Sequence, residues 1–214
     1  MEDLLDDSAE DSDEESAEEF DAAGEAFLEN IRELLQGEPD SEESVEDSDD
    51  DVPLEVLLAM LDDSESDVRS LALQTLTKRD PVAVSQHIGS VIARLEDATW
   101  AVRYDALAVL FLQDPSSLAP HTSSVIAMLE DSCDIVRGQA LRTLGGLEAT
   151  TLAQHADVVI ARLEDPEWDV RAQALYTLLS LEQTTIAQHA DVVIARLEDP
   201  HWVVRQAAIT TLYT

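Results

Sequence analysis

The chain has 214 residues, 47 of them acidic and 12 basic, for a formal net charge of −35. That balance argues against binding a nucleic-acid backbone, which needs clustered Lys and Arg, and favours solubility and a basic partner. No window approaches 18 uncharged apolar residues and the N-terminus has neither a basic start nor an apolar run, so neither membrane insertion nor a secretory signal is expected.

The charge is concentrated at the start. Residues 1–51 carry 24 acidic residues and one basic residue, Arg32; residues 52–214 carry the other 23 against 11. Such a segment repels itself and has little to bury, so 1–51 reads as an acidic, low-complexity and mostly disordered tail. One island differs: Phe27, Ile31, Leu34 and Leu35 fall at helical spacing before Gly37, which predicts a short helix over 22–36. It reads either as a marginal helix or as a motif that docks into a partner's groove. Ser8, Ser12, Ser16, Ser44 and Ser48 each precede an acidic residue by three positions. They read as part of a solvated charge run or as acceptors for acid-directed kinases.

From residue 53 the chain repeats itself. Val68-Arg69, Val102-Arg103, Val136-Arg137, Val170-Arg171 and Val204-Arg205 recur every 34 residues, and "AQHADVVIARLEDP" occurs identically at 153–166 and 187–200. Five copies fit without insertion, at about 53–86, 87–120, 121–154, 155–188 and 189–214. Within the fourth copy, Ala156, Val159, Ile160 and Leu163 share one helical face, and Val170, Ala174, Leu175 and Leu178 share another. The "EDPEW" turn separates them and "SLEQTT" reads as the linker to the next copy. Each copy is expected to be a helical hairpin that cannot bury its stripe alone, so the copies must stack.

The recurring Asp165, Val170-Arg171, Ala174 and Leu178, repeated in all five copies, resemble the HEAT repeat in its short 34-residue form, within the armadillo-type α-solenoid superfamily. The resemblance covers roughly residues 53–214. It implies an all-α fold, an α-α superhelix, with the second helices lining the concave surface.

The copies also serve as an internal alignment. Leu61, Leu95, Leu129, Leu163 and Leu197 form a constant column, as do Ala59, Ala93, Ala127, Ala161 and Ala195, and Ala72, Ala106, Ala140, Ala174 and Ala208. Leucine is expected to fill the seam while both alanine columns let helices approach. The constant Asp97, Asp131, Asp165 and Asp199 with Arg103, Arg137, Arg171 and Arg205 read as a structural ladder, because a catalytic site is normally built once. Positions 172, 173, 176 and 179 change between copies. They read Ser70, Tyr104, Gly138, Ala172, Gln206; Leu71, Asp105, Gln139, Gln173, Ala207; Gln74, Ala108, Arg142, Tyr176, Thr210; and Thr77, Phe111, Gly145, Leu179, Tyr213. This side of the second helix is the candidate partner-binding face, with Tyr104, Asp105, Gln139, Arg142, Gln173 and Tyr176 as candidates; drift at exposed positions is the plainer alternative.

Other constellations carry less. Trp100, Trp168 and Trp202 form a column that is expected to pack over the start of the second helix, although a row of indoles could also grip a peptide. His87, His121, His155 and His189 read as a helix-start feature, not a metal site, because stacked helices sit about 8–10 Å apart and zinc–nitrogen bonds are about 2 Å. The lone Cys133 excludes an intrachain disulfide and fits a reducing compartment, so an intracellular, cytoplasmic or nuclear, location is expected. The expected function is a non-catalytic interaction scaffold or adaptor for a protein or peptide, a basic one being what the charge favours, with no cofactor and no metal. The alternatives are an enzyme or enzyme subunit on HEAT-like repeats, of the bilin-lyase kind, and an acidic chaperone for basic proteins.

Overall fold

The structure is a computed structural model, described for residues 52–213, which lie in one compact unit, Asp50–Thr214. The tail at 1–51, with the helix expected at 22–36, lies outside the described residues. Among the described residues the elements run α1 (Leu54–Met60), α2 (Ser66–Leu76), α3 (Pro81–Ser85), α4 (Ile88–Ala93) and α5 (Trp100–Phe111). They continue as α6 (Pro115–Leu118), α7 (Thr122–Ala127), α8 (Asp134–Gly145), α9 (Ala149–Ala153) and α10 (Ala156–Ala161). The last are α11 (Trp168–Leu178), α12 (Gln183–Gln188), α13 (Ala190–Ala195) and α14 (Trp202–Tyr213). No described residue is in a strand.

Each of the first four copies therefore has three α-helical pieces, where the sequence reading has two and a linker; the fifth has two among the described residues. "SLEQTT" is not a plain connection, because Gln183–Gln188 is helical. Its counterparts α3 and α6 begin at Asp-Pro steps: Asp80 accepts from Val82 N–H at 3.0 Å and Asp114 from Ser116 N–H at 2.9 Å, with proline at the first helical position. One apolar residue anchors each piece: Val84, Leu118, Leu152 and Ile186 are all buried. The break before the next piece falls at His87, His155 and His189, whose φ near −120° and ψ near 16° leave the helical region.

The long helices α2, α5, α8, α11 and α14 pack against one another in series. Ala72, Ala106, Ala140, Ala174 and Ala208 are fully buried along that seam, and their small side chains permit the close approach. Val91, Val125, Val159 and Val193 anchor the shorter helices to the same core, with Leu95, Leu129 and Leu163 in the 3-10 turns that follow. The last member of that leucine column, Leu197, is 37% exposed.

The other alanine column departs from expectation. Ala59, Ala93, Ala127, Ala161 and Ala195 are all exposed. Each lies two residues beyond the buried position typified by Val159, about 200° further round the helix, and so on its opposite side. Constancy between copies marks this column, but close packing does not explain it.

Candidate binding face

The turn before each long helix is built around one aspartate. Asp165 accepts from Glu167 N–H at 3.1 Å, which closes the turn, and Asp97, Asp131 and Asp199 do the same for Thr99, Cys133 and His201. The arginine one turn into the long helix completes it. Arg137 Nη1 donates to Asp131 O at 2.9 Å in its own turn. Its Nε and Nη2 donate to Asp165 Oδ2 and Oδ1 of the next copy, at 2.9 and 2.8 Å. Arg69–Asp97, Arg103–Asp131 and Arg171–Asp199 repeat this two-pronged pairing. Arg205 keeps the bonds to its own turn, to Asp199 O at 2.8 Å and Pro200 O at 2.9 Å. Burial alone would raise the four carboxyls, but the guanidinium and turn N–H bonds outweigh it and hold them below the usual aspartate range. With both prongs engaged, these groups are fully committed to joining copies.

Two further rungs escape a reading of the sequence. Thr143, Thr177 and Thr211 donate their hydroxyls to carbonyls of the preceding long helix, Leu107, Leu141 and Leu175, at 3.0–3.2 Å. Arg162 and Arg196 reach back to Leu129 O and Leu163 O at 2.8 Å and pair with Glu130 and Glu164; Arg94 does the same with Leu61 O and Asp62. The signal was present as two nearly constant columns. Threonine fills four of five positions in one, where Val109 is the exception, and arginine three of five in the other.

The candidate partner-binding residues separate into two groups. Tyr176 and Arg142 are exposed, and Tyr104 is half-buried with part of its side chain against the core. Arg142 lies over the Phe111 ring of the preceding copy, 4.7 Å from its centroid. Asp105 and Gln139, in contrast, are buried at 7% exposure, and Gln173 is half-buried. Position 173 shares the i, i+4 stripe of Thr177, which faces the preceding long helix, so this column lines the seam instead of the open face. Asp105 accepts there from Ser70 Oγ and, at 3.2 Å, from Gln74 Nε2 of the first copy. Burial pushes its carboxyl up, against the pull of those two bonds.

The tryptophans also differ from expectation. Trp100, Trp168 and Trp202 open their long helices but remain 46%, 42% and 65% exposed. Trp168 stacks on His201 of the next turn with ring centroids 3.9 Å apart. Beside it the carboxylates of Asp134, Glu167 and Asp169 come within 4.8 Å of one another. The histidines of the other column each stand directly before a short helix and make no side-chain cap bond. Cys133 is a half-buried free thiol in a turn.

This arrangement of stacked helices defines a repeat protein, an all-α superhelix. Residues 122–213 match the family model for HEAT repeats. Among solved structures, an engineered protein from the Northeast Structural Genomics Consortium is similar with a TM-score of 0.61 at 16% identity, over 75% of this chain and 78% of that one. A designed armadillo repeat protein in complex with the peptide (KR)4 is similar with a TM-score of 0.59 at 15% identity, over 74% and 81%. Cex1p is similar with a TM-score of 0.60 at 19% identity, over 75% of this chain and 34% of its own. At such identities the likeness shows the fold alone. No curated protein sequence matches the chain. The described residues thus have the all-α fold of a stacked helical repeat protein, and 122–213 match HEAT repeats.

Proposed function

We propose that the protein is a non-catalytic scaffold that binds a protein or peptide segment along the open, concave side of its long-helix row. One observation carries this reading: the side chains at positions 176 and 179, with Tyr104, Gly138 and Gln206 of column 172, differ from copy to copy, while the Asp–Arg rungs that join the copies stay constant. Five equivalent helices thus present five different local surfaces, as an extended, sequence-specific partner would require. The similar armadillo design that holds a peptide supports this use of the fold. The net charge of −35 favours a basic partner during long-range approach. We assign no reaction to the chain, because its constant Asp and Arg columns are committed to turn-to-turn pairing.

The test is a pull-down from cell extract with mass spectrometry, comparing the wild type with a Tyr104→Ala, Arg142→Ala, Tyr176→Ala variant. Loss of specific partners from the variant, with circular dichroism unchanged, supports the reading. Identical captured sets would count against it.

A further inference from the structure

The open face does not share the charge of the chain. Columns 176 and 179, with Tyr104, Gly138 and Gln206 of column 172, hold thirteen residues, and Arg142 is the only one with a formal charge; Ser70 and Ala172, the other members of column 172, are buried. The rest are aromatic, aliphatic, small or neutral polar, including Tyr104, Phe111, Tyr176 and Leu179. In a chain with 28% charged residues this stripe stands apart. The carboxylates gather elsewhere, at the turn edge of the long-helix row, where Asp67, Asp134 and Asp169 open their helices.

Arg142 is held ready for an anion. Its guanidinium lies over the Phe111 ring, which orients it without occupying its N–H donors. Among the described residues it has no carboxylate partner and no hydrogen bond, whereas the arginines at 69, 94, 103, 137, 162, 171 and 196 all have carboxylates. The surrounding apolar surface strengthens a charge-assisted bond by excluding water from it. A lysine or arginine placed on this stripe would meet Arg142 and find no carboxylate within the three columns.

Resting on the scaffold reading above, we propose that the long-helix face takes an apolar protein segment carrying one acidic side chain, which Arg142 receives as a two-pronged ion pair. The basic character expected of a partner from net charge then belongs to its approach, or to parts of it that lie outside this face.

The test is selection of random twelve-residue peptides displayed on phage against the full-length protein, with counter-selection on Arg142→Glu. That variant and a milder Arg142→Gln lose no contact of the wild-type fold except the one with Phe111, and circular dichroism checks that both fold. Peptides lost on counter-selection are expected to be rich in aliphatic and aromatic residues with one Asp or Glu. Replacing that acid by its amide should weaken binding to the wild type about tenfold. Replacing it by lysine should restore binding to Arg142→Glu. If the face-dependent peptides are basic, or if the amide binds as well as the acid, the inference fails while the scaffold reading stands. If no peptide depends on Tyr104, Arg142 or Tyr176, both fail.

Discussion

At the scale of single residues, one guanidinium does two jobs. Arg137 binds the carbonyl of Asp131 in its own turn and both oxygens of Asp165 in the next, while Asp165 also holds Glu167 N–H. Both side chains are nearly buried, so removing one strands the other without water. Arg137→Ala is therefore expected to cost about 3–5 kcal/mol in urea denaturation. Arg137 and Asp165 should also be coupled, because each loses its purpose without the other. A double-mutant cycle over Arg137→Ala and Asp165→Ala should give an interaction energy of about 1–3 kcal/mol, and strictly additive losses would contradict the geometry. This is why the residues that look most reactive in the sequence are structural. Arg171, close to a proline and several carboxylates in "EDPEWDVR", has the makings of an active-site residue only until Asp199, 28 positions away, is seen to occupy it.

At the scale of elements, the long helices were legible and the short ones were not. Val170, Ala174, Leu175 and Leu178 span more than two turns, enough for the 3.6-residue period to declare itself. Pieces such as Ala149–Ala153, with a single buried anchor in Leu152, are too short to show any period. Their remaining signal is the cap, and it is uneven: Asp80 and Asp114 bond the first turn, whereas Glu148 and Glu182 at the same position make no side-chain cap bond. Asp80→Ala should thus cost about 1 kcal/mol in urea denaturation, and Glu148→Ala much less; equal losses would mean the cap plays no part. The candidate face shows the same limit. Disagreement between copies singled out positions 172, 173, 176 and 179 together, and the sequence has no means of separating 173, about 100° from its neighbour, from the rest. Only the placement of the preceding long helix shows that Asp105 and Gln139 point into a seam.

At the scale of the molecule, the copies stand or fall by the seams between them, and in such an array stability is close to a sum of unit and nearest-neighbour terms. Each of the four seams carries an Arg–Asp rung whose carboxyl lies below the usual range. A carboxyl with a lowered folded pKa contributes stability that is present above its unfolded value, about 3.9, and lost as pH falls through the folded value. The rungs therefore act together: from neutral pH down to about 4 they hold, and below that all four weaken at once. Asp105 has the opposite sign, since burial raises its carboxyl. Its neutral form suits the seam, so its contribution is fully present below about 3.9 and lost as pH rises through the raised folded value. Asp105→Asn keeps an acceptor for Ser70 and Gln74 without the charge. It should raise the Tm at pH 7 and lose that advantage below pH 4, while the wild type itself melts at progressively lower temperature in the same acid range. Thermal melts of both proteins between pH 2.5 and 8 separate the two effects. A variant no more stable at pH 7, or a wild type whose Tm holds steady below pH 4, would show that the charges in the seams do not govern how the copies are held together.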